Sequence, residues 1–337
     1  MRDKIVKQEI ITSKTRESNT GKMKNSFLSY IFNNLIIVTF VVLFVIFSLT
    51  VPYFFTLYNI LDGIVGDAVV IILASLGITF VLRGGEFDLS VGGIATLAGM
   101  TAALLQREGL STLLTIPAVL GLGLGLGFFN AVLVIIIGLP SFMATIGSAF
   151  IFVGLMLLCN KGYPIMYGMS SSFFFIGQGF IGFIRFSIII MVAVYFMVHF
   201  FLSRSKTGRI ITAIGGNPTA VRFAGIKTNL YKSSIFLFCG ILAALAGIIR
   251  ASRVSSGQSW DGWSLVLSAF MAVYIGVGIS PEGKATPLGT VIGALFLGIF
   301  INGLTLLGVD YYHQLVYKAV ILIGVLLVIS LKKARNI

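Results

Sequence analysis

Apolar residues in this chain come in long, nearly unbroken blocks separated by short polar interruptions. A helix needs about 20 such residues to cross the hydrocarbon core of a bilayer. Blocks of that kind fall at 31–51, 64–82, 89–105, 112–137, 141–159, 186–202, 230–250, 264–279, 287–307 and 312–331. The pattern predicts an all-α polytopic membrane protein of about ten transmembrane helices. Residues 31–331 form the membrane domain, flanked by basic tails over 1–30 and 332–337. The third block is short, and the eighth carries little more than one bilayer thickness of apolar chain.

Composition agrees with the pattern. Hydrophobic residues make up 57% of the chain and charged residues 10%, with a mean hydropathy of +1.04; soluble domains hold about 45–50% apolar residues. The 24 basic residues against 11 acidic ones do not point to nucleic acid, because most sit beside apolar blocks and no basic-aromatic module is visible. They report topology instead. With the N-terminus inside and ten spans, 18 of the 24 fall on the inner side, as the positive-inside rule requires. Both tails, and the loop over 203–228, are therefore expected to be cytoplasmic. The first 24 residues contain no run long enough for the apolar core of a signal peptide.

The stretch Ser203 to Lys227, SRSKTGRIITAIGGNPTAVRFAGIK, stands out between two of these blocks. Gly215 and Gly216 loosen the backbone, Asn217 is a good N-cap and Pro218 suits the first helical position. Thr219 to Ala224 make about two turns before Gly225, a natural stop. Ala220, Val221, Phe223 and Ala224 give a small apolar surface, ringed by Arg204, Lys206, Arg209, Arg222, Lys227 and Lys232. This reads as a short helix offered to a soluble partner, with an ordinary basic loop as the alternative.

A second interruption, RGGEFDLSVGG from Arg83 to Gly93, places Glu86 and Asp88 near the membrane, where carboxylates are costly. Asp88 or Ser90 can cap the third helix there, with the glycines permitting a sharp turn. Alternatively the segment is a discontinuous helix along a transport path, or a site of proton coupling.

Small residues recur at helix-packing spacing: Gly121 with Gly125, Gly123 with Gly127, then Gly240, Ala244 and Gly247, and Gly289, Gly293 and Gly298. No phosphate loop of the G-x-x-x-x-G-K-[ST] type occurs, so the chain is not its own ATPase by that motif. His199 and His313 stand alone, and Cys159 and Cys239 have no ligand spacing. Neither a catalytic nor a metal set emerges. The segments Asn160 to Arg185 and Ser252 to Trp263 are expected outside. The first suits a membrane surface or a protein partner; the second suits an interfacial belt or the mouth of a polar path.

Taken together, the motifs resemble a known family. Arg83 to Gly93 resembles the G-G-x-D-L-S-V-G signature of ribose-type ABC importer permeases, within the branched-chain amino acid/ribose/xylose permease superfamily. TGRIITAIGGNPTAVRFAGI, residues 207–226, resembles their coupling-helix loop. PSFMATIG at 140–147, CGILAALAGIIRASRVSSGQ at 239–258 and the stretch 289–322 extend the likeness over nearly the whole chain after the tail.

The resemblance implies a non-catalytic, multi-pass subunit of the bacterial inner membrane that imports a simple sugar such as ribose. It implies a separate ABC ATPase subunit, which binds ATP and Mg and grips Gly215, Gly216, Asn217, Pro218, Arg222, Phe223, Ala224 and Gly225. An extracytoplasmic sugar-binding protein and a second permease chain are the other implied partners, beside membrane lipid. This chain itself is expected to hold no cofactor. Path-lining candidates are Asp88, Ser90, Phe142, Ser255, Ser256, Gln258 and Asn302. The competing reading is a self-sufficient secondary transporter coupled to an ion through Glu86 or Asp88. The chain departs from the family at YIGVGISPEGKA, Tyr274 to Ala285, where Pro281, Glu282 and Lys284 replace a glycine-rich turn and Gly276, Gly278 and Gly283 remain.

Overall fold

A computed structural model describes residues 35–259, 262–280 and 282–335. The expected tail over 1–30, and Pro281 of the divergent turn, lie outside the described residues. The chain folds as α1 (Leu35–Thr50), a π-helical turn (Asn59–Gly66) leading into α2 (Asp67–Arg83), α3 (Val91–Arg107), and α4 (Thr112–Ala131) with a π-helical extension (Val132–Ile136). Then come α5 (Ser141–Cys159), α6 (Ser171–Gln178), α7 (Phe186–Arg204), α8 (Lys206–Gly216) and α9 (Pro218–Phe223). The long α10 (Thr228–Val254), α11 (Gly262–Ile279), α12 (Pro287–Leu306) and α13 (Tyr311–Arg335) complete the bundle. A hairpin pairing Phe180–Ile181 with Ile184–Arg185 is the only sheet among the described residues.

Each apolar block of the sequence meets a helix, and eight of these helices are long and apolar enough to cross a membrane. The other two are α1, described from Leu35, and α3, whose 17 residues span about 25 Å. α13 continues through Arg335, into the segment read as a tail.

Successive helices run up and down, so the bundle has two ends. Arg83, Ser141, Arg204 and Thr228 share one end, and Asp62, Arg107, Cys159 and Val254 share the other. Cross-helix contacts bear this out: Thr79, late in α2, bonds Thr290, early in α12, at 2.8 Å. Among the eight long spans α2 is the central post, with 83% of its membrane-length window buried, followed by α10 at 67%; α13, at 11%, is peripheral.

Close packing around α10 depends on missing side chains. A Cβ on Gly240 would lie 2.2 Å from the Gly123 carbonyl oxygen of α4, and one on Gly247 would lie 2.1 Å from that of Ala95 in α3. Such backbone contact compensates for the weak hydrophobic drive between helices in lipid. Of the two overlapping glycine pairs in α4, only Gly123 and Gly127 form this seam. Gly121 and Gly125 face outward, with nothing within 4 Å of a Cβ.

Gly247→Ala therefore overpacks α10 against α3, at a cost of about 1–3 kcal/mol, whereas Gly121→Ala is tolerated. Thermal unfolding of the two variants in detergent checks this: a clear fall in Tm is expected for the first and none for the second.

Candidate functional site

The stretch between α7 and α10 forms two helices rather than a loop with one. Ser205 caps α8 by accepting from the Gly208 amide at 2.9 Å, and Ile211 and Ile214 turn inward. Asn217 then caps α9, its Oδ1 accepting from the Ala220 amide at 3.0 Å, with Pro218 in the first turn. Ala224 is the C-cap, and Gly225 follows with a φ of +78°. Val221 is buried, while Ala220, Arg222, Phe223 and Ala224 are exposed; Phe223 is 87% exposed. A large aromatic ring held out beside an arginine on a fixed helix is surface that a partner can grip.

Gly215 and Gly216 are not a loosened hinge. They end α8, and a Cβ on Gly215 would lie 2.1 Å from the carbonyl oxygen of Arg83. Gly85, at φ +78°, packs back onto the Gly215 backbone. A second clasp is ionic: Lys232, early in α10, pairs with Glu86. The exposed helix and the polar break are thus joined on both sides, by a glycine contact before α9 and an ion pair after it.

Backbone amides of the break find partners on α5, while Asp88 Oδ2 and Arg83 Nε and Nη1 are buried with no hydrogen-bond partner among the described residues. The Phe87 amide donates to Ser141 Oγ at 3.2 Å and the Leu89 amide to Thr145 Oγ1 at 3.1 Å, both on α5. Asp88 is fully buried, and its Oδ1 accepts from the Ser90 amide at 2.9 Å and from Ser90 Oγ at 2.6 Å. Asn130 of α4 donates to Ser90 Oγ at 2.7 Å. Asp88 thus holds Ser90, the residue before α3, but neither Asp88 nor Ser90 makes a side-chain cap bond to the helix itself. Cys239, also buried, lies beside this carboxylate rather than among apolar groups alone.

At the opposite end of α2 and α10 the chemistry differs. Asp62 takes both Arg185 and Arg253, the latter with Nη1 to Oδ1 at 3.5 Å, and Arg253 Nη2 also reaches Asp67 at 2.7 Å. The hydrogen bonds to Asp62 push the Arg185 guanidinium above its ordinary value, so it stays charged. α6 docks here: the Gly177 amide donates to Ser252 Oγ at 2.7 Å, and Gln178 Nε2 donates to Ser255 Oγ. The segment Asn160 to Arg185 is accordingly a tethered cap on α10. Its Gly177, Gly179 and Gly182 have the G-x-G-x-x-G spacing, but they end α6 and turn the hairpin instead of opening a helix, so no dinucleotide cradle forms.

Beneath that ion-pair network lies a half-open cavity of 540 Å³, lined among others by Asp67, Arg250, Ser268, Asn302, Gln314 and Lys318. Asn302 is fixed by reciprocal amide bonds with Asn59, at 2.8 and 2.9 Å.

The path candidates therefore separate. Asp88 and Ser90 form one buried node. Phe142 lies nearby, 52% exposed, its ring 6.4 Å from that of Phe87. Asn302 lines the cavity at the far end. Ser255 ends α10 in a left-handed conformation, Ser256 is buried, and Gly257 pairs with Ile165, so this segment is closed down. Ser256 and Gln258 line only a small recess, which shares Arg250 with the larger cavity. Sequence reading passed over Asp67, Arg250 and Lys318 as site residues. Charges inside apolar runs are costly and usually functional, and that signal was available for all three.

Residues 60–330 match the family described as branched-chain amino acid transport system / permease component. The chain is 34% identical over 300 residues to the ribose import permease protein RbsC of Escherichia coli strain K12, spanning 88% of this chain and 93% of that protein. It is 37% identical over 293 residues to the Haemophilus influenzae protein of that name, spanning 86% and 90%. For the Bacillus subtilis protein the identity is 36% over 288 residues, spanning 85% and 89%. No solved structure matches the chain at a significant level.

The Lys232–Glu86 clasp is testable by charge reversal. Glu86→Lys or Lys232→Glu alone leaves a partly buried like-charge pair and is expected to cost about 1–3 kcal/mol, less than a fully buried pair. The double reversal is expected to recover most of it. Melting temperatures of the four proteins close the cycle; two additive losses would show that the pair is not coupled.

Proposed function

We propose that this chain, which belongs to the permease-component family of branched-chain amino acid transport systems, is the membrane subunit of an ATP-driven importer for a simple sugar of the ribose type. The named relatives are ribose import permeases. The observation that carries the coupling half of the reading is α9: a capped, exposed, basic helix outside the apolar spans, clasped at both flanks to the interrupted segment between α2 and α3. A separate ABC ATPase grips Asn217 to Gly225 and supplies the hydrolysis. An extracytoplasmic binding protein delivers sugar at the Asp62 end, and a second permease chain completes the path. The Arg83 end then faces the bacterial cytoplasm, in keeping with Arg204, Lys206, Arg209, Arg222, Lys227 and Lys284 at that end. The chain needs no covalent chemistry: the ATP cycle displaces α9 and biases the bundle between two openings.

Ion coupling through Glu86 or Asp88 has no support. Glu86 is neutralised by Lys232, and Asp88 is enclosed, with 0% exposure. A coupling carboxylate must meet water from both sides in turn.

The test removes the grip without touching the fold. Phe223→Ala with Arg222→Glu changes only exposed side chains. In the complex reconstituted with its ATPase, uptake is expected to fall at least about tenfold, the loss of one interface anchor, while ATP hydrolysis continues. Full uptake in the double variant would remove α9 as the coupling element.

A further inference from the structure

α7 is one of the less buried spans, with 28% of its membrane-length window inside the protein. Along it Ile189, Val192, Phe196 and Phe200 recur at three- and four-residue spacing, which keeps them on one face, and Phe196 and Phe200 are 62% and 67% exposed. Four residues beyond Phe200 the same face ends in an exposed cation, Arg204. Lys206 and Arg209 follow on the exposed side of α8, whose Gly208, Ile211 and Ile214 turn inward. Arg209 Nη1 donates to the Arg204 carbonyl oxygen at 3.1 Å, and this holds its guanidinium at the end of the span rather than toward α9.

Apolar and basic surface thus adjoin at the membrane boundary: Phe200 and Arg204 are one helical turn apart, a rise of about 6 Å. None of the three cations enters an ion pair among the described residues. The sequence before Leu35 brings no excess of acid to answer them, with seven basic residues against three acidic ones.

A ligand that fits must be apolar beside Phe200 and anionic beside Arg204. An acidic patch on a soluble protein meets the cations but leaves the phenyl rings bare. A second copy of this chain covers the rings, yet a two-fold axis along the membrane normal sets the same three cations against each other. An anionic phospholipid answers both halves at once. We infer that the α7–α8 junction is a binding site for such a lipid, with Arg204, Lys206 and Arg209 taking the headgroup phosphate and Phe196 and Phe200 an acyl chain.

The experiment reads lipid retention by the full chain. The protein in a neutral detergent is mixed with equal amounts of phosphatidylglycerol and phosphatidylcholine of the same acyl chains, and bound lipids are counted by native mass spectrometry. Phosphatidylglycerol is expected to be retained at least about tenfold over phosphatidylcholine, since each basic residue contributes about fivefold at an anionic surface. Arg204→Gln with Lys206→Gln and Arg209→Gln is expected to bring the two lipids to near parity. Lys227→Gln, which removes an exposed cation outside the junction, is expected to leave the preference within about twofold. Phe196→Ser with Phe200→Ser is expected to lower retention of phosphatidylglycerol severalfold, and millimolar inorganic phosphate is not.

Equal retention of the two lipids by the unaltered chain overturns the inference, and that comparison needs no variant to fold. So does an undiminished preference in the triple Gln variant, which would place the lipid elsewhere. Displacement by inorganic phosphate would make the junction a free-anion site and overturns it as well. A preference seen in the monomer and lost in a dimer would put a second copy on this face, with the same result. The inference needs only that α7 spans the membrane. Neither the ATPase nor sugar enters the measurement, so its failure leaves the importer reading untouched.

Discussion

A chain that stops being helical inside a membrane bundle must still satisfy its amides and carbonyls, because lipid offers no partner. In this protein six of the seven amides from Gly84 to Ser90 find a partner within the protein. The Gly84 amide bonds back to α2 at Phe80 and Val81, and the Glu86 amide to Val81. Ser141 and Thr145 on α5 take the next amides, and Asp88 takes that of Ser90. The break is thereby a fixed object, not a loop. Its fixity gives meaning to its contacts with Gly215 and Lys232, since a clasp on a mobile segment transmits nothing.

What the sequence made legible follows from the length scale of each signal. Apolar blocks extend over many residues and depend only on composition, so each found its helix. Asn217, Pro218 and Gly225 are local signals, and α9 has the cap, first turn and stop that those residues dictate. Contacts between distant segments left no such trace. Nothing local in Gly215 distinguishes a hinge from a point of backbone contact with Arg83, and nothing local in Gly121 and Gly123 says which faces α10. α6 was missed because its eight residues are too few for a membrane-length run, although Ser170 caps it locally and Gly177 and Gln178 tie it to the end of α10.

The candidate site was half legible for a related reason. Motif likeness favours residues in short, distinctive strings, such as Asp88 and Ser90, and the structure joins these in one buried node with Asn130. Arg250 and Lys318 lie in separate apolar runs, where the topological count treated them merely as charges to be assigned to a side. They come together only when α10 and α13 pack about the same cavity. The closed conformation of Ser255 to Gly257 likewise depends on pairing with Ile165, far away in sequence.

The two ends are linked by the two most buried of the eight long spans. α2 carries Asp67 at one end and Arg83 at the other, and α10 carries Arg250 and Arg253 at one end and Lys232 at the other. Between them Gly77 seats against Cys239, where a Cβ would lie 3.2 Å from its sulfur and 3.3 Å from its backbone. Interiors packed this closely move as units rather than bend. A displacement delivered to the break by α9, on the proposed reading, therefore reaches the cavity as a shift of the α2–α10 pair relative to its other walls. α13 is the wall least committed to the bundle, and it carries Lys318. The cavity's shape, and the distance between its two cations, are thus the quantities that a movement at the coupling helix changes.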